Sequence, residues 1–538
     1  MNTLFKLLVV TIFLSTVSFA QSWQWARSAG SPDGIYGDVV FGIAVDNNGN
    51  SYVTGYYYAT AHFGADSITQ QGAVDAYIAK YSSIGALVWV KGLGSVKYGE
   101  QGTAIAVDGG GHLFVGGTIG DSSLYNGTYI RVTGVIKGFL ARFDLDGNLQ
   151  WLKNGAGVPT QIIPDGSGGC YTSGTSDFFL AKYDGSGTVT WKHASGEYGF
   201  VRTNGMGFDD AGNIYMAGVF QGQAVFATDT VKTPSLFDPD VLILKYDNGG
   251  TAQWARKAGS AGNTGDNSYS IAVDHDGSFY ICGVFAGKIG FEGDTLQSNY
   301  ANMFIAKYSS TGSPVWERQG MPTASSLGGL ASARSLLLDG SGNLFVGGFT
   351  ASATVVGTDT ISGGQAYVAK YSLDGSEAWA KATKPIGFLN IDNVVAMALD
   401  NSNNILVGGQ YIYQTIFGGD TLTSLGSTDI FVAKLSTVTT AVHELKQVIP
   451  TGFSLRQNYP NPFNPSTTIE FTVDKKEHAA VKVFDMLGRE VATLYNSTAQ
   501  PGTMYRMNFD ASSLSSGLYY YRVVTESRTE TRKMTLIR

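Results

Sequence analysis

Apolar positions along this chain recur in two patterns that follow each other in fixed order. The first is a short apolar strand ending in Asp, a turn of Gly and Asn, and a second strand ending in Gly: IAVDNNGNSYVTG (43–55), IAVDGGGHLFVGG (105–117), IAVDHDGSFYICG (271–283), LLLDGSGNLFVGG (336–348) and MALDNSNNILVGG (397–409). The second is an aromatic-aliphatic strand with a basic residue: YIAKY (77–81), FLARF (139–143), FLAKY (179–183), LILKY (242–246), FIAKY (304–308), YVAKY (367–371) and FVAKL (431–435). Seven of the eight tryptophans share one phase, namely Trp25, Trp89, Trp151, Trp191, Trp254, Trp316 and Trp379, mostly about 63 residues apart. Each unit therefore reads as strand a (IAVD), a turn, strand b (YVTG), a longer connection, strand c (FIAKY), a Gly turn, and strand d around the Trp. Four antiparallel strands at this period predict the blade of a β-propeller. The Asp that closes strand a is turn chemistry, because its carboxylate accepts from amides two residues on while Gly or Asn takes positive φ.

The ends of the array predict how it closes. The seventh unit runs from Ala396 to Leu435 and has no Trp strand after its strand c, whereas the chain begins with a lone strand d, Ser22-Trp23-Gln24-Trp25-Ala26. Pairing the two hides both open edges and gives an all-β, seven-bladed propeller over 21–435. The third blade (Ile162 to Trp191) is short between b and c, and five others share a sub-repeat there: HFGADSITQQG (62–72), VFATDTVKT (225–233), GFEGDTLQS (290–298), VVGTDTISGG (355–364) and IFGGDTLTSLG (416–426). An accessory packing hairpin on five blades is expected.

Composition agrees with many short strands: Gly is abundant at 70, aromatics reach 12%, and charged residues are only 15% against roughly 25% on average. A net charge of −7 and the lack of Lys/Arg runs argue against nucleic acid as a partner. Residues 1–20 read as a cleaved leader, with Lys6, an apolar core Leu7–Leu14 and Ser18-Phe19-Ala20. No later stretch approaches the roughly 20 apolar residues of a spanning helix. Two cysteines, Cys170 and Cys282, fall in non-adjacent blades and read as small buried hydrophobes.

Periodicity lapses over 436–452, a linker, and a different pattern occupies 453–538. SLRQNYPNPFNPSTTIEFTV (454–473) opens with Pro460, Pro462 and Pro465; then come VKVFDMLGREVATLY (481–495), turning at Met486-Leu487-Gly488, SSGLYYYRVVT (515–525) and RKMTLIR (532–538). Short alternating strands over about 85 residues predict a small β-sandwich.

Over roughly 22–435 the blade motif resembles the SBBP-type β-propeller repeat of secreted bacterial proteins, a likeness that implies architecture and no single activity or ligand. The C-terminal strings resemble the type A sorting domain recognised by the type IX secretion system of Gram-negative bacteria. They are the opening Asn458, Tyr459, Pro460, Asn461, Pro462 and Phe463, the hairpin through Gly488, the strand from Gly517 through Tyr519, and a last strand carrying Lys533. This resemblance implies export by the leader, passage across the outer membrane directed by 453–538, and a place at the cell surface or outside the cell, with the domain commonly removed afterwards.

Catalytic signals are sparse. The six histidines sit at unrelated repeat positions, with no zinc spacing, nucleophile elbow or phosphate loop, and no cofactor or metal is expected. Two c–d turns, Asp144-Leu145-Asp146-Gly147 and Ser372-Leu373-Asp374-Gly375, are similar to the Asp-box turns of sialidase-type propellers, but their spacing is off by one and no arginine cluster is evident on the inner strands. Binding is expected on the face that gathers the d–a and b–c connections. There, eight residues before the turn Asp, four blades carry an acid, Asp38, Glu100, Asp266 and Asp392, and Tyr36 and Tyr98 lie two residues before the first two. Projecting into the channel mouth, these would make an acidic ring for a cation or hydroxyl-rich ligand; the alternative is that they satisfy loop amides. A non-enzymatic binding module for a glycan or envelope protein is the leading expectation, with a carbohydrate-active enzyme as the alternative.

Overall fold

The computed structural model describes residues 21–437 and 453–537, apart from short segments at 33–35, 126–127, 132–135, 156, 176–179, 194–199, 227–228, 235–236, 260–264, 323–330, 357–358, 387–391, 459–460, 502–504 and 512–513. The leader, most of the linker, and Tyr459 and Pro460 lie outside the described residues. The chain falls into two compact units, Gln21–Thr439 and one containing Thr440–Arg538. Among the described residues both are built of strands, with no helix.

Among its described residues the first unit holds seven larger antiparallel sheets, five of four strands, one of five and one of six, with small accessory sheets of two or three strands; each larger sheet contains an a, b, c, d set. The first comprises Val39–Val45, Ser51–Tyr57, Asp75–Tyr81 and Leu87–Gly94 in spatial order a, b, c, d. The other a strands are Gln101–Val107, Val158–Pro164, Phe200–Phe208, Asn267–Val273, Ala331–Asp339 and Asn393–Leu399. Consecutive a strands touch, and Asn393–Leu399 also lies against Val39–Val45. The a–b turns form as their sequence dictates: Asp46 Oδ1 accepts from the amides of Asn48 and Asn50, both at 2.9 Å, and Asp108, Asp165, Asp339 and Asp400 repeat the arrangement.

Several of the phase-locked tryptophans tie one sheet to the next. The indoles of Trp89, Trp151 and Trp316 donate to Leu145, Gly185 and Leu373 in the c–d turn of the following sheet. At the same turn a glycine lets the ring approach: a Cβ on Gly85, whose φ is +80 with its equivalents at +75 to +85, would lie 2.5 Å from the Trp25 ring.

The two ends of the array meet as expected. Ser22–Ala29 runs antiparallel to Asp420–Ser436, from Ser22↔Ser436 to Ala29↔Ile430, and supplies the fourth strand of the last sheet. One hydrophobic cluster spans the first and last sheets, joining Val40, Ile43, Val53 and Tyr77 to Leu406, Ile430 and Val432 through Trp25 and Ala29. Each such aliphatic side chain contributes about 1.5–3 kcal/mol when fully buried. Cys170 and Cys282 are buried free thiols in the third and fifth sheets.

All five hairpins anticipated between strands b and c are present. A sixth was not anticipated: Ser123–Tyr125 and Thr128–Ile130 pair with each other, and the former joins Leu87–Gly94 of the first sheet. Between its two strands it lacks the Asp-Thr or Asp-Ser pair that the other five carry at their turns, yet the Tyr125 hydroxyl donates to Gly147 at 2.7 Å and its ring packs on Phe143, so tertiary contact replaces the missing motif.

The C-terminal unit has one three-stranded sheet (Ser454–Leu455, Ser466–Thr472, Tyr505–Asp510) and one four-stranded sheet (Glu490–Ala499, Glu477–Phe484, Gly517–Thr525, Thr529–Leu536). Alternation turns Ile469 and Phe471 of the former and Val481, Val483, Tyr521, Val523 and Met534 of the latter into one shared core.

Candidate functional site

Every a strand of the first unit is interrupted at the same place by a β-bulge, where one residue is left out of the register with strand b. The seven residues so displaced are Phe41, Thr103, Thr160, Asn204, Tyr269, Arg334 and Val395, and all of them line one cavity of about 520 Å³. A bulge re-aims a side chain, so the repeat delivers one side chain per sheet to a common space.

The bulges also free backbone acceptors, which the neighbouring sheet uses. Thr103 Oγ1 donates to the carbonyl of Pro159, and Thr160 Oγ1 to that of Thr203. Asn204 Nδ2 donates to Ser268 O at 2.7 Å and Asn267 Oδ1 at 3.0 Å. In all three the acceptor carbonyl immediately precedes the next bulge. Two places beyond the bulges stand Ile43, Ile105, Ile162, Met206, Ile271, Leu336 and Met397, all buried, and six of these, all but Met206, form the apolar part of the cavity wall.

Charge on the described lining of this cavity has one sign. Arg202, two residues before a bulge, and Arg334, on one, line it, and its described lining includes no Asp, Glu or His. The Arg334 guanidinium stacks over the Tyr269 ring at 4.4 Å. Among the described residues neither arginine has a carboxylate within ion-pair distance. No arginine cluster is expected on the inner strands; the two arginines of the described lining, Arg202 and Arg334, stand on different sheets. Counting five residues back from each turn Asp reaches all seven bulge positions, and there the units, similar elsewhere, carry Phe, Thr, Thr, Asn, Tyr, Arg and Val. That variation was the available signal.

The four acids expected at the channel mouth are elsewhere. Asp38, Glu100, Asp266 and Asp392 are 0–2% exposed, and none lines the cavity. Each instead latches two sheets, its amide donating to the carbonyl that precedes strand c, or the corresponding residue, of the sheet before: Thr428, Val74, Pro239 and Gly364, at 2.9–3.2 Å. Their carboxylates clasp loops. Asp38 accepts from the amides of Ser31 and Tyr58 at 2.6 and 2.8 Å; Glu100 from Ser95, Gly120 and Ser123; Asp392 from the hydroxyls of Thr383 and Thr415. Backbone amides compete successfully for a carboxylate at a strand start, which is why the acidic ring does not form. Asp75 and Asp429, which begin strand c beside Glu100 and Asp38, are pushed up to about 6 by burial, opposed by amides and reinforced by the neighbouring acid; burial likewise lifts Asp392 to about 6. Tyr36 is exposed and stacks on Tyr58, with centroids 4.8 Å apart. Tyr98 packs beside Lys97 and Ser95, and neither tyrosine reaches the cavity.

In the C-terminal unit the motif residues converge on one edge of the core. The Asn458 amide donates to the Tyr521 hydroxyl at 2.8 Å, and its Nδ2 to Thr467 at 2.9 Å. Asn461 Oδ1 accepts from the Thr535 amide, and Pro462 follows it through a cis peptide bond. Phe463 is buried, its amide donating to Thr535 and its carbonyl accepting from Ile537. Gly488 closes the hairpin turn at φ +80. Gly517 pairs with Leu536 and Tyr519 with Met534, while Lys533 lies opposite Tyr520; the Lys533 carbonyl also accepts from Gln457.

Residues 457–537 match the model of the secretion system C-terminal sorting domain. This sorting domain indicates secretion by the type IX system, to the cell surface or the extracellular space. Residues 24–56 match the model of a β-propeller repeat. The chain is 27% identical over 259 residues to the regulatory protein FlaEY of Caulobacter vibrioides, covering 44% of this chain and 26% of that one. It is 21% identical over 494 residues to the uncharacterized WD repeat-containing protein L264 of Acanthamoeba polyphaga mimivirus, covering 69% and 35%. The chain thus spans only about a quarter to a third of the length of these curated relatives. Solved structures similar to it include a protein of unknown function from Bacteroides caccae, at 12% identity and TM-score 0.30 over 57% of this chain and 89% of that one. Another is a GH43 protein from Bacillus licheniformis, at 8% identity and TM-score 0.25 over 96% and 90%.

Proposed function

We propose that this chain is a closed seven-bladed propeller joined to a two-sheet sandwich, exported through its leader and sorting domain to act outside the cell as a non-enzymatic binding module. The observation that carries the export half is the folded sorting unit, in which Asn458, Phe463, Gly488, Gly517 and Lys533 belong to one small domain. Closure is supported by the pairing of Ser22–Ala29 with the last sheet and by the contact of the last a strand with the first. Binding is supported by a cavity to which every sheet contributes one bulged side chain. A non-enzymatic role is supported by its described lining, which offers two cations and no carboxylate or imidazole to act as a general acid–base pair.

The test is to delete 453–538 and fractionate cells. The truncated chain should remain in the periplasm while the full chain reaches the medium or surface; equal appearance of both outside refutes the export reading. A carbohydrate-active enzyme is the second reading, favoured by the two arginines of the lining alone, and it predicts turnover of a glycan.

A further inference from the structure

We propose that the ring cavity binds an acidic sugar, an oligosaccharide bearing uronic-acid carboxylates. This rests on the binding-module reading and adds the ligand's chemistry. Arg202 and Arg334 give the lining two positive charges and no negative one among the described residues. The half-buried Arg334 guanidinium, bordered by Ile, Leu and Met, has lost part of its water, so an anion there is attracted more strongly than at an open surface, and the exposed Arg202 adds a second positive charge on the same lining.

Geometry favours a carboxylate. Tyr269 covers one face of the Arg334 guanidinium, and the N–H groups of a guanidinium lie in its plane, a fork that matches the two oxygens of a carboxylate. Thr103, Thr160 and Asn204 spend their polar groups on the next sheet's backbone, whereas Tyr269 and Arg334, at the same repeat position, are released from that duty.

The rest of the wall suits a hydroxylated ring. Phe41 and Tyr269 provide aromatic faces, and Gln101 adds a side-chain amide. The volume of about 520 Å³ lies within the roughly 300–1,000 Å³ of small-molecule sites.

The experiment is calorimetric titration of the mature full chain with trigalacturonate, beside maltotriose as a neutral match and citrate as a carboxylate without a sugar. Trigalacturonate should bind, more weakly as salt rises, and maltotriose and citrate should bind at least about tenfold less tightly. Arg334→Gln and Arg202→Gln should each weaken trigalacturonate about tenfold or more, with melting curves unchanged. Lys232→Gln, on an exposed hairpin, should leave binding alone. Arg334→Lys, which keeps the charge and loses the fork, should fall between. The proposal is overturned if trigalacturonate does not bind, if maltotriose or citrate binds equally, or if the double arginine variant binds like the parent. A neutral glycan or envelope protein held without the arginines would overturn it and leave the binding-module reading standing. Consumption of trigalacturonate would instead sink that reading.

Discussion

The indole Nε1 of Trp25 donates to the carbonyl of Ser83, 3.3 Å away and 58 residues further along the chain. Trp25 belongs to the N-terminal strand and Ser83 to the c–d turn of the first sheet, so this bond joins the strand that completes the last sheet to the sheet beside it.

Trp25→Ala should therefore cost about 3–5 kcal/mol, the usual loss for a buried aromatic. Trp379 serves as the internal control. The sheet that follows it has no c–d turn, because the chain's two ends meet there, and Trp379→Ala should cost less. Urea denaturation followed by circular dichroism compares the two, and equal losses would contradict the role given to the turn.

At Gly85, φ is +80, and a Cβ would meet the Trp25 ring. Gly85→Ala should destabilise by more than about 1 kcal/mol through backbone strain and the clash combined. Gly64→Ala, at φ +66 but in open space, should bear only the strain, and the difference in denaturation midpoint isolates the contact.

The buried acids set a pH dependence. Asp75, Asp392 and Asp429 titrate near 6 when folded, against an ordinary 3.8. Between these values the folded chain holds more protons than the unfolded one, so stability falls as pH rises from about 4 to 6. Each group contributes at most about 1.4 kcal/mol per pH unit in that window. Asp184 and Asp374 move the other way, held low by the hydroxyls of Ser186 and Ser372, and act only below the ordinary carboxylate range. Thermal melts should thus be highest near pH 4 to 5, and Asp429→Asn should flatten the slope; a melting temperature rising from pH 5 to 7 would contradict this.

In the sorting unit the Tyr521 hydroxyl donates to Arg456 O at 2.7 Å and accepts from the Asn458 amide. Tyr521→Phe leaves both without that partner and should cost about 1–3 kcal/mol. The loss should appear as a lower melting transition for the C-terminal unit, with the transition of the repeat unit unmoved.

Much of the strand order was legible because Trp, Asp and Gly mark each unit at fixed intervals, and those residues are the ones that make the turns and the contacts between sheets. The cavity was harder to read. A bulge adds no residue type of its own, so in sequence Arg334 and Tyr269 are indistinguishable from ordinary strand positions, and only the register of the sheet displaces them. The acids recur at one phase, but sequence does not reveal that Ser31, Tyr58 and Gly120 offer amides within reach of Asp38 and Glu100 and turn them away from the cavity. The pairing of Ser123–Tyr125 with Thr128–Ile130 is not legible in the sequence because neighbours, and not a motif of its own, hold it in place.

Joining residue 22 to residue 436 has a cost in time. Partners separated by roughly 400 positions are slow to find one another, so this union should come last in folding. Until then the final sheet waits with a bare edge, and a chain cut before Ser436 would keep that edge exposed and be prone to recruit a strand from another copy.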